Sequence, residues 1–287
     1  MESQPGCSHP TEVRAAKDRA IFDDVRVISN LLNDEVFFVP NCDYFTQIQI
    51  DVQPFMRKVV TTWMLEVCEE QMCEDCVFPL AVNLLDRFLC VCRIKRQQLQ
   101  LLGATCLLVA SKLRSTNALP IELLCAYTDY SVTYDNIQSW ELLLLSKLQY
   151  NLSAVTGFDY IDQVIERCSW GDQSNLLRRH SHTLVSICYT EPSLIQTPPS
   201  VIAAACINSA VRGLKLSCQS DAVQDVCRML NVNVETLEYL VSVVDRLVEK
   251  VVPPAPTKGE PSKTVSGYES PKYGQPETPT EVENIYF

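Results

Sequence analysis

The residues best equipped for chemistry in this sequence are thiols. Cys73-x-x-Cys76 followed by Cys90-x-Cys92 gathers four soft ligands in a short stretch, the kind of set a structural zinc site uses. The second pair has the wrong spacing and falls near the end of an apolar run, so these cysteines are expected as buried or half-exposed thiols without a metal. Histidine could act as base, metal ligand or partner to a nucleophilic cysteine, but the chain has only 3. His9 lies close to the N-terminus, and His180 and His182 sit on a helical stretch where positions i and i+2 point in different directions. No HExxH, GxSxG or carboxylate pair beside a glycine-rich loop is present. Only 8 of 287 residues are glycine, and none are grouped to cradle a phosphate, which excludes G-x-G-x-x-G and P-loop chemistry. Neither catalytic residues nor a cofactor are expected, and the chain reads as a protein that is not an enzyme.

Charge narrows the partners. With 35 acidic against 24 basic residues the net charge is -11, and such a field repels nucleic acid and anionic membrane surfaces. The longest apolar run, Leu101 to Ala110, is interrupted by Gly103 and Thr105 and ends at Ser111-Lys112, well short of the roughly 20 residues that cross a bilayer. The 14 cysteines follow an N-terminus without a basic-then-apolar export signal, so reduced thiols in the cytosol or nucleus are expected.

The elements that must position any binding surface are helical throughout. Ile21, Val25, Ile28 and Leu32 recur at spacings of 4, 3 and 4, predicting an amphipathic helix ahead of the main body. Helices are expected near 51–72, 77–91, 97–113, 120–128 and 134–149, with Pro79 in a first turn and Thr133 as an N-cap. A second set is expected near 157–168, 173–190, 199–213, 221–230 and 234–251, with Pro198-Pro199 opening one helix and Gly213 closing it. The two sets correspond at an offset of 100: Ala104/Ala204, Cys106/Cys206, Ala110/Ala210 and Lys112/Arg212, then Ile137/Leu237, Trp140/Leu240, Leu144/Val244 and Leu148/Val248. One offset serving two separated helices marks an internal repeat. The third helix of each set is apolar and small-residue-rich around most of its circumference, which places it at the centre of a bundle. The fold class is thus all-α: two tandem five-helix domains, 51–152 and 153–252, preceded by a loose 1–19 and an N-terminal helix with connector at 20–50. Prolines, glycines and polar residues dominate 253–287, a composition that predicts a disordered regulatory tail.

From Met56-Arg57-Lys58-Val59-Val60-Thr61-Thr62-Trp63-Met64-Leu65-Glu66-Val67-Cys68-Glu69-Glu70-Gln71, through Leu84-Leu85-Asp86-Arg87-Phe88-Leu89 and Leu108-Val109-Ala110-Ser111-Lys112-Leu113, to Trp140-Glu141-Leu142 and Lys147-Leu148, the sequence closely resembles the cyclin box. The run around Trp63 points to the D-type, G1/S-specific cyclins, and the resemblance covers about 20 to 250. It implies two five-helix cyclin boxes and a regulatory subunit that binds and activates a G1 cyclin-dependent kinase of the 4/6 type, acting on retinoblastoma-family substrates. The less favoured alternatives are a cyclin-fold scaffold without a kinase and a transcription-factor-like adapter, the latter opposed by the acidic balance.

By resemblance, Lys112 and Glu141, with Leu113 and Tyr150, belong to the kinase-binding surface. Taken alone, Lys112 would serve its own helix C-terminus and Glu141 would be a solvated charge. The resemblance likewise makes Met56, Val59, Val60 and Trp63, with Glu66 and Gln100, a docking patch for Arg-x-Leu peptides of substrates and kinase inhibitor proteins. Periodicity alone would make that face ordinary core. Lys58, Val59 and Val60 replace the usual alanine, isoleucine and leucine there, implying a shallower pocket. A Leu-x-Cys-x-Glu segment is absent around Cys7, so docking on the retinoblastoma pocket by that route is not expected. In the tail, Thr278-Pro279-Thr280-Glu281-Val282 resembles the family's degradation signal, implying phosphorylation at Thr278, recognition by a ubiquitin ligase, and residence in both nucleus and cytoplasm.

Overall fold

The computed structural model describes residues 18–168, 170, 173–216 and 219–251. Thirteen α-helices follow in order: α1 (Arg19–Phe22), α2 (Arg26–Glu35), α3 (Tyr44–Gln47), α4 (Pro54–Glu70), α5 (Val77–Val91), α6 (Leu99–Arg114), α7 (Ile121–Tyr127), α8 (Tyr134–Lys147), α9 (Gly157–Arg167), α10 (Ser174–Thr190), α11 (Pro199–Gly213), α12 (Gln219–Leu230) and α13 (Val234–Val251). There is no strand among the described residues, and none of these helices is long and apolar enough to cross a membrane.

Two bundles result, α4–α8 and α9–α13, each with its own core. Helix α6 packs on α4, α5, α7 and α8, and α11 on α9, α10, α12 and α13. Residues Leu101–Ser111 of α6 and Ile202–Val211 of α11 are buried around the whole circumference. That is why small Ala, Gly, Cys and Ser side chains recur there: a helix surrounded by neighbours must let each approach closely. All of Ala104, Cys106, Ala110, Ala204, Cys206 and Ala210 are buried, as are Ile137, Leu144, Leu237 and Val244 in the last helix of each set.

The local signals act as expected at most ends. Thr133 Oγ1 accepts from Asn136 N at 3.3 Å and Asn136 Oδ1 accepts from Thr133 N at 3.4 Å, a reciprocal cap for α8. Pro54 and Pro199 each occupy the start of their helices. The helix expected from 51 begins instead at Pro54, because Asp51 is held outside it, its carboxylate accepting from Arg96 N at 3.0 Å.

One expectation fails. The single N-terminal helix is two short ones, α1 and α2, broken at Asp23–Val25. Asp24 is the cause: its carboxylate accepts from the backbone N of Arg26 at 2.9 Å and from both guanidinium Nε and Nη2 of the same residue. A side chain bound to its local backbone offers the chain an alternative to the helix. Ile21 and Val25 are consequently exposed, and of the four-residue stripe only Ile28 and, partly, Leu32 reach a core.

Candidate functional site

The surface at the end of α6 is built from two distant segments. Lys112 Nζ donates to Glu141 Oε1 on α8 at 2.6 Å. The lysine side chain is 46% exposed and the glutamate 17%. Lys112 therefore crosses to the neighbouring helix instead of capping its own, and Glu141 is a paired, largely covered carboxylate instead of a solvated one. Leu113 and Leu142, each the next residue after one member of the pair, are exposed. Tyr150 is exposed as well, held beyond α8 by its N–H bonding Leu145 O at 2.9 Å. This requires Gln149 and Tyr150 to take positive φ of 52° and 58°, sparsely populated conformations for non-glycine residues. Three of the residues singled out by sequence, Lys112, Leu113 and Tyr150, thus project from α6 and the turn after α8, with Glu141 of α8 holding the lysine.

The second predicted patch divides. The core stripe of α4 is Arg57, Val60, Thr61, Met64, Val67 and Cys68, so Val60, only 7% exposed, is a correction: it faces inward with the first core. On α4, Val59 and Glu66 are exposed and Met56 and Trp63 half-buried, forming the adjacent face of the helix, and Gln100 of α6 is half-buried too. Trp63 lies on α6 at Gly103, where an added Cβ would meet Trp63 Cζ3 at 3.5 Å and Met64 Sδ at 3.3 Å. Gln100 is one turn earlier on the same face of α6. Burial and the neighbouring Glu69 carboxylate push the Glu66 carboxyl above its ordinary value.

Beside the patch runs a seam between the two bundles that the sequence did not announce. Arg57 and Asp86 form a buried bidentate pair, Nε to Oδ1 at 3.1 Å and Nη2 to Oδ2 at 2.8 Å. Tyr44 O–H donates to the same carboxylate at 2.8 Å. Arg57 Nη1 continues across the seam to Tyr189 O at 2.8 Å, and Lys58 Nζ to Glu191 Oε2 at 3.0 Å. Burial opposes the ionised guanidinium of Arg57, yet the Asp86 carboxylate overcomes it and the group is held more firmly protonated than usual. On the second bundle, buried His182 faces Asp75 at 3.2 Å, while Glu35 of α2 accepts from Ser200 N at 2.9 Å and Ser200 Oγ at 2.7 Å. The missed signal was placement: Arg57 and Asp86 each occupy a core position of an apolar helix, and a buried charge needs an opposite one.

Among the described residues, no group of three or more His, Cys, Asp or Glu stands as a metal site. Cys76 does not join Cys73; its thiol donates to Arg114 O at 3.8 Å. Thr278 and Cys7 lie outside the described residues.

Comparison with known proteins follows the same two-part division. The family model described as the cyclin N-terminal domain matches residues 26–153, and that of the cyclin C-terminal domain matches 155–279. A G1/S-specific cyclin-D2 of Gallus gallus is 39% identical over 95% of either chain. A G1/S-specific cyclin-D3 of Bos taurus is 40% identical, again over 95% of each. Among solved structures, a viral cyclin from herpesvirus saimiri superposes with a TM-score of 0.71 at 23% identity, covering 79% of this chain and 98% of its own.

Proposed function

The chain belongs to the cyclin family, and from that premise we propose that it is the non-catalytic regulatory subunit of a G1 cyclin-dependent kinase of the 4/6 type, promoting phosphorylation of retinoblastoma-family substrates at the G1/S transition. The kinase-binding surface is Lys112, Leu113, Glu141 and Tyr150. A protein kinase is competent only when its C-helix glutamate pairs with the strand lysine that holds the ATP phosphates. A rigid partner pressed on that helix keeps the pair in place.

The Lys112–Glu141 pair carries this reading. Glu141 takes one of three ammonium donors, orienting the lysine while leaving donors to aim at carbonyls of a second protein. Exposed Leu113 and Leu142 follow the two members in sequence, apolar surface at the same helices that a partner would cover, and water excluded there strengthens such bonds. The face with Met56, Val59, Trp63, Glu66 and Gln100 receives Arg-x-Leu segments of substrates and kinase inhibitor proteins. Val60 supplies only its floor. Phosphorylated Thr278 is read by a ubiquitin ligase, and the protein divides its time between nucleus and cytoplasm. Mixing purified chain with such a kinase should give a 1:1 complex on size exclusion; separate elution at micromolar concentrations would overturn the assignment.

A further inference from the structure

Among the described residues, three pairs of cysteines lie near one another. Cys188 and Cys206 approach to 3.7 Å, both buried in the second core. Cys42 and Cys90 are both half-buried, and burial together with the neighbouring Cys42 thiol pushes the Cys90 thiol up to about 12. The third pair, Cys68 and Cys73, is held by the backbone itself. Helix α4 ends with Met72 in the left-handed conformation at φ 47°. Met72 N bonds Glu69 O at 3.1 Å, and Cys73 N reaches back to Cys68 O at 2.9 Å, the two bonds that define a Schellman close. Residues so placed bring their side chains to the same end of the helix, and here both are thiols. A 2.9 Å bond between N and O keeps the two Cα atoms within about 7 Å, the outer reach of a disulfide.

We propose that Cys68 and Cys73 form a redox-reversible disulfide site, with Cys73 as the attacking thiol and Cys68 as the resolving one. Access separates this pair from Cys188 and Cys206, which are both buried, and the direct backbone bond separates it from Cys42 and Cys90; within it Cys73 is half-buried while Cys68 is covered. The neighbouring Cys68 thiol holds the Cys73 thiol below its ordinary value despite partial burial, in keeping with the more open sulfur being the one that attacks. Hydrogen peroxide is the oxidant. The Cys73 thiolate attacks one peroxide oxygen, the O–O bond breaks, and hydroxide departs and is protonated to water, leaving a sulfenic acid. Cys68 sulfur then attacks Cys73 sulfur, the S–O bond breaks, and the departing hydroxide takes the Cys68 proton. Two thiols and one peroxide give one disulfide and two waters, and a dithiol reverses the change.

The turn concerned is not isolated. Glu74 Oε1 accepts from Thr116 N at 3.3 Å and Cys76 bonds Arg114 O, so the segment just after Cys73 braces the end of α6.

The folded, reduced chain should be treated with stoichiometric hydrogen peroxide, capped with N-ethylmaleimide, and mapped by peptide fragmentation. The expected result is a peptide lighter by two hydrogens with Cys68 and Cys73 uncapped, Cys76 capped, and both caps restored after dithiothreitol. At neutral pH, Cys73 should alkylate at least about tenfold faster than Cys76, whose thiol is pushed up to about 11 chiefly by burial. In Cys68→Ser, Cys73 should stop as a sulfenic acid trapped by dimedone. A Cys73 that stays capped after peroxide, or one linked to Cys76, would overturn the proposal without any variant having to fold.

Discussion

The central helices of the two boxes end alike and then diverge. Lys112 at the end of α6 pairs with Glu141 of α8 at 2.6 Å; Arg212, its counterpart at the end of α11, pairs with Glu238 of α13 at 2.7 Å. The cations are equally open, 46% and 44% exposed, but Glu141 is 17% exposed and Glu238 is 52%. After Lys112 comes an exposed leucine, and after Arg212 comes Gly213, with nothing within 4 Å of where a Cβ would stand. The same pair is therefore a lysine oriented by a largely covered carboxylate in one box and a solvent-screened surface bridge in the other. A repeat can preserve a contact while only one copy is placed to use it.

The largest effect expected on this comparison is a difference between two charge reversals. Lys112→Glu should weaken kinase binding by roughly a hundredfold or more, on the scale of losing a desolvated interfacial charge, while Arg212→Glu should leave it unchanged. Titration calorimetry of both variants against the kinase decides it, and equal losses would erase the distinction between the boxes.

Next in size is the seam. Arg57→Ala strands the buried Asp86 carboxylate and should cost about 3–5 kcal/mol of stability, read as a lower urea midpoint. Arg212→Ala, removing a screened pair, should cost no more than about 1 kcal/mol.

Trp63→Ala should reduce phosphorylation of substrates that carry an Arg-x-Leu segment several-fold, sparing a short peptide substrate, because a docking face contributes to binding and not to phosphoryl transfer. Equal loss on both substrates would make Trp63 purely a packing residue on Gly103.

The smallest effect is a pH dependence at the seam. Burial pushes the Glu191 carboxyl up, but the bond and charge of Lys58 and the Ser193 N–H outweigh it, holding the group below 4.5 in the fold. Its contribution is thus fully present above the ordinary carboxylate value and disappears as pH falls through the lowered one. Glu191→Gln should therefore be slightly less stable than the parent at neutral pH, and the two urea midpoints should converge in acid. A constant gap across that range would remove Glu191 from the seam.

How much of this was legible in the sequence follows from what each signal measures. Periodicity and capping chemistry are local, so Thr133 and Pro199 marked helix starts, and the small residues of α6 and α11 marked the two centres. The apolar spacing from Ile21 to Leu32 was equally regular, yet Asp24 captured the backbone and split the helix, a competition that hydrophobic periodicity does not register. Val60 was grouped with Val59 because neighbouring positions on a helix differ by a rotation that only the packing of α4 fixes. Lys112 and Glu141 were each singled out, but their union needed α6 and α8 side by side. The backbone approach of Cys73 to Cys68 depended on the left-handed Met72, a conformation that non-glycine residues seldom advertise. Cys73-x-x-Cys76 was the louder spacing, yet the Cys76 thiol turns to Arg114 O.

The central claim, that the chain activates a kinase through its first box and performs no chemistry itself, is tested most directly by phosphate transfer to a retinoblastoma fragment. Purified G1-class kinase, the chain, and their 1:1 mixture are assayed side by side. The account predicts transfer from the mixture far above that of the kinase alone, none from the chain alone, and a return to the kinase-alone rate with Lys112→Glu. Transfer by the chain alone, or a kinase whose rate is unchanged by the bound chain, would contradict it.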